Sequence, residues 1–594
     1  MNISLSHRTF FACLIAAALM TLSCSGGGSS SSPVVVTSGS GTVSGVVRYQ
    51  DKEYNRNGFT GTNPYKSVRF ATVQVVDTSS KAVLAAGTTG ADGSYSLSYT
   101  GAGTYVYVRV LTQSEVGGSI LVRVRNSSGA TYAVGTGSFS SGGTVIYNMD
   151  IDLVSLSQVT GAYNILDVLT TGMQFAQGLA GAYPPQLSAF WEYNGTDGTY
   201  YCSSGCLPGS GMYIIGNSSG DTDGYDDDVI LHEFGHFLAD MYSRDDSMGG
   251  AHYIGDIKED MRLSWSEGWG DFMPIAVRYW QTMNDPGRIS STDSAPSIYI
   301  DTNDGVPAPA INFYIVFGNP SDNNISGWLC ATKSECFSYV SNELAIANLL
   351  WNSMTGTGNF GMPPIWSVIG SWHGLSTAAL PLVNLESFWD TWIAQRSPAG
   401  NEYDAGFAAE LSTLWNVYNA VNIQYKKDSY ENDGASNIAK VINLGAANAQ
   451  THTLYSGRGL LDSDYYAFST AAAGNYSAAT SGLANGADTS ITVYGEAAGN
   501  LTPITSNDNF NSILYSSCGG TMVKCTGGNY DYYIQDSYGN YINVYPTNDA
   551  NTLSSRAAFN ATGAANYFIE VKPSPNRPYS AGRYGTYTLM ITEQ

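Results

Sequence analysis

Two periodicities divide the chain. Between residues 42 and 152, apolar and polar residues alternate singly in short runs broken by turns, as in TVSGVVRYQ, ATVQVVD, GSYSLSY, TYVYVRVLT and ILVRVRN. A period of two puts every second side chain on one face, which predicts an antiparallel sandwich. From about 156 the apolar residues recur at three and four positions, in AYNILDVLTTGMQFAQGL, DDDVILHEFGHFLADMYS, LSWSEGWGDFMPIAVRYW, NELAIANLLWNSM, LESFWDTWIAQ and DAGFAAELSTLWNVYNAV. That spacing predicts amphipathic helices facing a core. After 430 the strand pattern returns in DSDYYAFST, DTSITVYG, ANYFIEVKP and GRYGTYTLMI. The expected fold is multidomain, with a mainly α-helical (α+β) domain at 156–430 flanked by two antiparallel β-sandwich domains at 42–155 and 431–594.

The first residues add a destination. His7 and Arg8 precede an apolar stretch from Phe10 to Leu22, then Ser23-Cys24 and a run of Gly and Ser. This is the pattern of a signal peptide over 1–24, and thirteen apolar residues are too few to span a bilayer core of about 30 Å. Cys24 resembles the lipidated cysteine of bacterial lipoproteins, with 25–41 as a flexible Gly/Ser tether. The expected location is therefore the outer membrane or cell surface through a lipid anchor only, with plain secretion as the alternative. The remaining six cysteines form close pairs: Cys202 with Cys206, Cys330 with Cys336, and Cys518 with Cys525. An oxidising destination makes these three local disulfides; zinc binding is the other reading, against which stand the lack of CxxC spacing and of accompanying histidines.

Charge narrows the partners. The net charge is −23, and nearly all of it falls in 156–430. Such a field excludes nucleic acid and anionic lipid as ligands and favours cations and cationic peptides, although ordinary solvation of an exported protein also accounts for it.

The chemistry concentrates in His232-Glu233-Phe234-Gly235-His236. On a helix, positions i and i+4 share a face, so both imidazoles can reach one metal ion. Glu233 lies off that axis, beside rather than on the metal, where a general base belongs. The next helical window carries Ser266-Glu267-Gly268-Trp269-Gly270-Asp271. Glu267 supplies a third ligand and leaves a fourth position open for water, the catalytic pattern for zinc. Asp271, one turn on, can accept a hydrogen bond from the far nitrogen of a ligating histidine.

HExxH followed by a helical ExxxD resembles the gluzincin metallopeptidases, thermolysin and especially fungalysin, in which EGWSDF stands close to this chain's EGWGDF. The resemblance is confined to the two metal helices. It implies a gluzincin-like catalytic domain in which His232, His236 and Glu267 bind Zn2+, Glu233 is the base and Asp271 supports His232. It also implies a histidine and a tyrosine that stabilise the oxyanion. His373, in SWHGLST, suits the chain order best; His252 and Tyr253 precede Glu267, and His452 falls in the C-terminal module. VRFATVQVVD followed by TTGADGSYSLSY resembles transthyretin-like or carboxypeptidase-regulatory modules, and the C-terminal strands resemble the prepeptidase C-terminal β-sandwich.

Asp221, Asp223, Asp226 and Asp228 stand just ahead of the first metal helix. Alternating carboxylates with a glycine suit Ca2+, while acids at a helix N-terminus are also explained by capping and the macrodipole. The expected function is an exported zinc metalloendopeptidase acting on protein or peptide substrates. Two alternatives stand beside it: a surface binding or adhesion protein with a degenerate peptidase core, and a zinc hydrolase of cell-wall peptides.

Overall fold

The computed structural model describes residues 39–594 except 248, 251, 253, 255–260, 294–296, 307–309, 320–321, 326–341, 377–378, 381–382, 401–403, 422–427, 431–432, 456–461, 485–486, 488, 498, 509–531, 536–540, 545–553 and 575–583. The signal segment with Cys24 lies outside the described residues. Of the three expected disulfides, the one between Cys202 and Cys206 is formed. The other two fall outside the described residues: Cys330 and Cys336 lie within 326–341, and Cys518 and Cys525 lie within 509–531.

Each of the six helical windows contains a helix: α1 (Ser157–Ala180), α2 (Asp227–Tyr242), α3 (Met261–Asn284), α4 (Glu343–Met354), α6 (Leu385–Arg396) and α7 (Ala408–Ala420), with α5 (Met362–Gly370) between them. The expectation of a mainly α-helical catalytic domain flanked by two antiparallel sandwiches is nevertheless corrected, because strands make up 38% of the described residues and helices 27%. The largest sheet has nine strands and does not stop at residue 155. From one edge it runs Tyr200–Cys202, Gly211–Ile214, Leu187–Trp191, Ser119–Arg125, Tyr105–Val116, Ala71–Asp77 and Val83–Thr88, with two short strands also paired to Tyr105–Val116. Leu187–Trp191 joins both neighbours in parallel, Leu187 opposite Val122 and Ala189 opposite Met212. Leu187, Ala189, Phe190 and Trp191 are all buried. A strand this short, with four of its five residues buried, has a period that cannot be told from that of a helix.

A second sheet forms around the long strand Gly39–Gln50, which pairs with four shorter ones. One hydrophobic core then extends from Val43 to Val421 and takes in both these sheets and the seven helices just named. At its centre α1 is buried almost all round. Tyr163 of α1 donates to the Val110 carbonyl at 2.9 Å, fixing the helix to the large sheet. Gly172 of α1 lets α2 approach, since a Cβ there would stand 2.8 Å from the Phe234 ring. The C-terminal region has its own core between a five-stranded and a four-stranded sheet, with Tyr466, Ile491, Ile569, Tyr587 and Leu589 fully buried. His452 is buried there against Tyr430, Tyr466 and Tyr587, remote from the chemistry below.

Candidate metal centre

The N-terminus of α2 is locked before the metal motif begins. Asp226 is its N-cap and accepts from the Val229 amide, and its other oxygen accepts from the Thr302 amide at 2.6 Å. Asp227 accepts from the Ser290 amide at 2.6 Å and from Asn164 at 2.9 Å, while Asp228 accepts from the Ile300 amide at 3.0 Å and pairs with Arg278. Three fully buried carboxylates thus clamp α2 to the strand Ile298–Thr302 and its surroundings, helped by the helix dipole. Burial and the nearby Asp51 push Asp227 up to about 7.

These partners correct the grouping of four aspartates around calcium. Asp226 and Asp228 are consumed by capping and by the Arg278 pair. Asp221 and Asp223 converge instead with Asp301, which comes from the strand opposite, and these three carboxylates could hold a cation. Asn312 donates to both Asp221 and Asp301, at 3.1 and 2.9 Å.

One turn into α2, the motif meets α3. Gly270 gives the His232 ring its space: a Cβ there would lie 2.7 Å from its Cε1 and Nε2. Gly268 does the same for α4, where a Cβ would meet Ile346 at 2.5 Å and the Glu343 carbonyl at 2.6 Å. The two glycines of EGWGD are therefore packing requirements of a three-helix crossing. Trp269, between them, donates to the Gly235 carbonyl at 2.9 Å and ties α3 to α2.

The crossing brings His232, His236 and Glu267 together. The Nε2 atoms of the two histidines are 3.2 Å apart, and Glu267 Oε2 lies 3.3 Å from one and 3.4 Å from the other. A tetrahedral ion with bonds of about 2.0–2.1 Å has ligand-to-ligand edges of about 3.3 Å, so the triangle matches in size. Its donors also match. His232 Nδ1 is 3.1 Å from Asp271 Oδ1, and a carboxylate can only accept, so Nδ1 carries the proton and Nε2 presents a lone pair. His236 Nδ1 is 3.3 Å from Ser266 Oγ, whose own hydroxyl donates to Asp245 Oδ2 at 2.6 Å. Both far nitrogens are thereby held as donors, the arrangement that orients metal-ligating histidines. Two imidazole nitrogens and a carboxylate oxygen then face one point and could hold a cation. Burial alone would lower the His232 pKa, yet Asp271 and Glu267 drive it well above the usual range.

Glu233, 7% exposed, lines the same cleft. The cleft holds about 1000 Å³ and is walled on one side by Gly198–Ser203, which includes the edge strand Tyr200–Cys202. Among the described residues, nine carboxylates and no lysine or arginine line it. A disulfide joins Cys202 to Cys206 at the end of that strand. Tyr201 of the strand donates to Asp240 of α2 at 2.6 Å, anchoring the wall to the metal helix.

His373 does not reach the site. It is exposed, makes a 3.3 Å contact from Nδ1 to the Ser243 carbonyl beyond the end of α2, and does not line the cleft. His252 lines it instead, with Nε2 3.5 Å from both Glu267 Oε2 and Glu343 Oε2. Burial would lower the His252 pKa, but Glu343 and Glu267 raise it to about 9; burial in turn pushes Glu343 up to about 8. Tyr253 lies outside the described residues. Asp245, Glu343 and Asp301 were not singled out from the sequence, where each stands in no recognisable motif.

No family model matches the chain, and no curated protein matches it. Among solved structures, the pre-peptidase C-terminal domain of a collagenase from Bacillus anthracis is similar at 17% identity over 26% of this chain and 93% of that one, with a TM-score of 0.15. CorA, a surface-associated copper-binding protein of Methylomicrobium album, is similar at 14% identity over 26% of this chain and 98% of that one, TM-score 0.15. PliG of Aeromonas hydrophila, a periplasmic lysozyme inhibitor, is similar at 11% identity over 26% and 99%, TM-score 0.12.

Proposed function

We propose that the protein is an exported zinc-dependent endopeptidase with His232, His236 and Glu267 as metal ligands. The observation that carries this reading is the 3.2–3.4 Å triangle of two imidazoles and one carboxylate, with both far imidazole nitrogens tied to acceptors. Three protein ligands leave a coordination position open, which distinguishes a catalytic from a structural zinc site. Zinc, when bound, supplies Lewis acidity toward water and toward the carbonyl oxygen of the substrate.

The remaining work falls to the protein. Glu233, adjacent to His232 yet outside the ligand triangle, takes a proton from the attacking water and passes it to the leaving nitrogen. Water adds to the carbonyl carbon, the C–N bond breaks, and a carboxylate and an amine leave. Asp271 and the Ser266–Asp245 pair hold the two imidazoles in the ligating tautomer throughout. The strand Tyr200–Cys202 is the edge of its sheet and faces the cleft, so an extended peptide can align along it by main-chain hydrogen bonds. The acid-rich cleft favours substrates with basic side chains.

Export belongs to the same reading. It is supported by the signal-like first 24 residues and by the Cys202–Cys206 disulfide, which suits an oxidising compartment. Mass spectrometry of the mature N-terminus tests whether Cys24 is acylated. Hydrolysis of casein by the purified full chain, abolished by a chelator and restored by zinc, tests the activity; peptidoglycan stem peptides as the preferred substrate would favour the cell-wall reading.

A further inference from the structure

The carboxylate of Glu267 serves two clusters, and the second is unexplained by a single zinc. Glu267 Oε2 lies 3.3 and 3.4 Å from the helix imidazoles and 3.5 Å from His252 Nε2, which is itself 3.5 Å from Glu343 Oε2. We propose that His252, Glu343 and the shared Glu267 form a second divalent-cation site, making this a two-metal centre. The inference rests on the metallopeptidase reading above and extends it.

Three observations carry it. The first is the His252 ring: its Nδ1 contacts the Gly250 carbonyl at 3.2 Å, and a carbonyl can only accept. A proton on Nδ1 leaves Nε2, the nitrogen that faces the two carboxylates, as the atom that would ligate an ion, as in His232 with Asp271 behind it. The second is Glu343. The residue is 2% exposed, and its Oε2 accepts no hydrogen bond among the described residues although it is turned toward the His252–Glu267 pair. A buried carboxylate oxygen without a donor is costly unless a cation completes it. The third is charge. Glu233, Glu267, Asp271 and Glu343 are all at most 8% exposed, and no lysine or arginine lines the cleft among the described residues. Buried acidic groups gathered without a lysine or arginine among them favour bound cations.

The geometry and the donor types agree with this. Ligand edges of 3.5 Å stand close to the 3.2–3.4 Å edges of the first triangle, and all three ligand atoms lie within 4.8 Å of one another. One imidazole and two carboxylates suit zinc, manganese or cobalt better than calcium. Co-catalytic ions lie about 3.5–4 Å apart, the separation that a shared carboxylate bridges.

The test is a titration of the chelator-treated full chain with Co2+, read by visible absorption, with zinc content of the reconstituted protein measured by elemental analysis. The proposal expects two equivalents in the wild type, and one in His252→Asn and in Glu343→Gln. The wild-type titration needs no variant to fold and can overturn the site by itself, while the loss of one equivalent in either variant assigns the second ion to His252 and Glu343 rather than to Asp221, Asp223 and Asp301. One equivalent in the wild type with chelator-sensitive cleavage intact overturns the second site and leaves the peptidase reading standing. Two equivalents retained in both variants also overturns it. No bound metal at all overturns both.

Discussion

Asp271→Asn separates the supporting role of Asp271 from ligation itself. The substitution keeps the shape of the side chain and leaves His232, His236 and Glu267 in place. It exchanges a charged acceptor for a neutral one at the 3.1 Å contact to His232 Nδ1. A hydrogen bond to a charged group contributes about 1.5–3 kcal/mol and a neutral one about 0.5–1.5. The difference, about 1–1.5 kcal/mol, is realised when the metal draws electron density from the ring, so metal affinity falls about 5- to 12-fold. A second effect is independent of metal. Asp271 is 2% exposed and its Oδ2 has no hydrogen-bond partner among the described residues, so the Asn amide nitrogen would be buried there without an acceptor. That costs folding stability about 1–3 kcal/mol. Competition against a chromophoric chelator at fixed pH measures the first effect, and urea unfolding of the metal-free protein measures the second. An affinity unchanged within twofold in a folded variant would refute the role given to Asp271.

Other substitutions probe other parts of the argument. Gly270→Ala places a methyl 2.7 Å from the His232 ring, so a loss of zinc affinity of about tenfold or more is expected, read by the same competition assay. Arg278→Ala leaves the fully buried Asp228 without its cation; a loss of about 3–5 kcal/mol in urea unfolding is expected, and a loss under about 1 kcal/mol would contradict the clamp at the start of α2. Glu233→Gln removes the base and no ligand, so zinc content stays at the wild-type level while turnover falls about 10²- to 10⁴-fold in a peptide cleavage assay.

What the chain discloses in one dimension depends on how local each feature is. The pairing of His232 with His236, and of Glu267 with Asp271, is a property of one helical turn, so spacing suffices to place each pair on one face. The converging distances among His232, His236 and Glu267 follow once Gly270 and Gly268 allow α2, α3 and α4 to cross closely. The bridge between Cys202 and Cys206 is local in the same sense, since both ends belong to one short loop at a strand end. The strand Leu187–Trp191 is not legible, because LSAFW is too short to show a period, and its parallel partner Ser119–Arg125 is separated from it by the whole of α1. The mainly helical catalytic domain failed on that point. His373 was favoured by its place in chain order, whereas His252 reaches the cleft through a loop between the two metal helices. Asp226 and Asp228 carry the right chemistry for calcium, but their partners, Thr302 and Arg278, lie many residues downstream. Asp245 and Glu343 belong to no motif, and only the fold brings them to Ser266 and His252.

The measurement that bears most directly on the central claim is casein hydrolysis by the purified, signal-free protein, run beside its zinc content, before and after chelation, with Glu233→Gln as a control. Bound zinc is expected, with cleavage that disappears with the metal and returns on its addition, and a zinc-loaded Glu233→Gln protein whose cleavage falls about 10²- to 10⁴-fold. Absence of zinc together with absence of cleavage, or cleavage undiminished in both the chelated protein and Glu233→Gln, would contradict it.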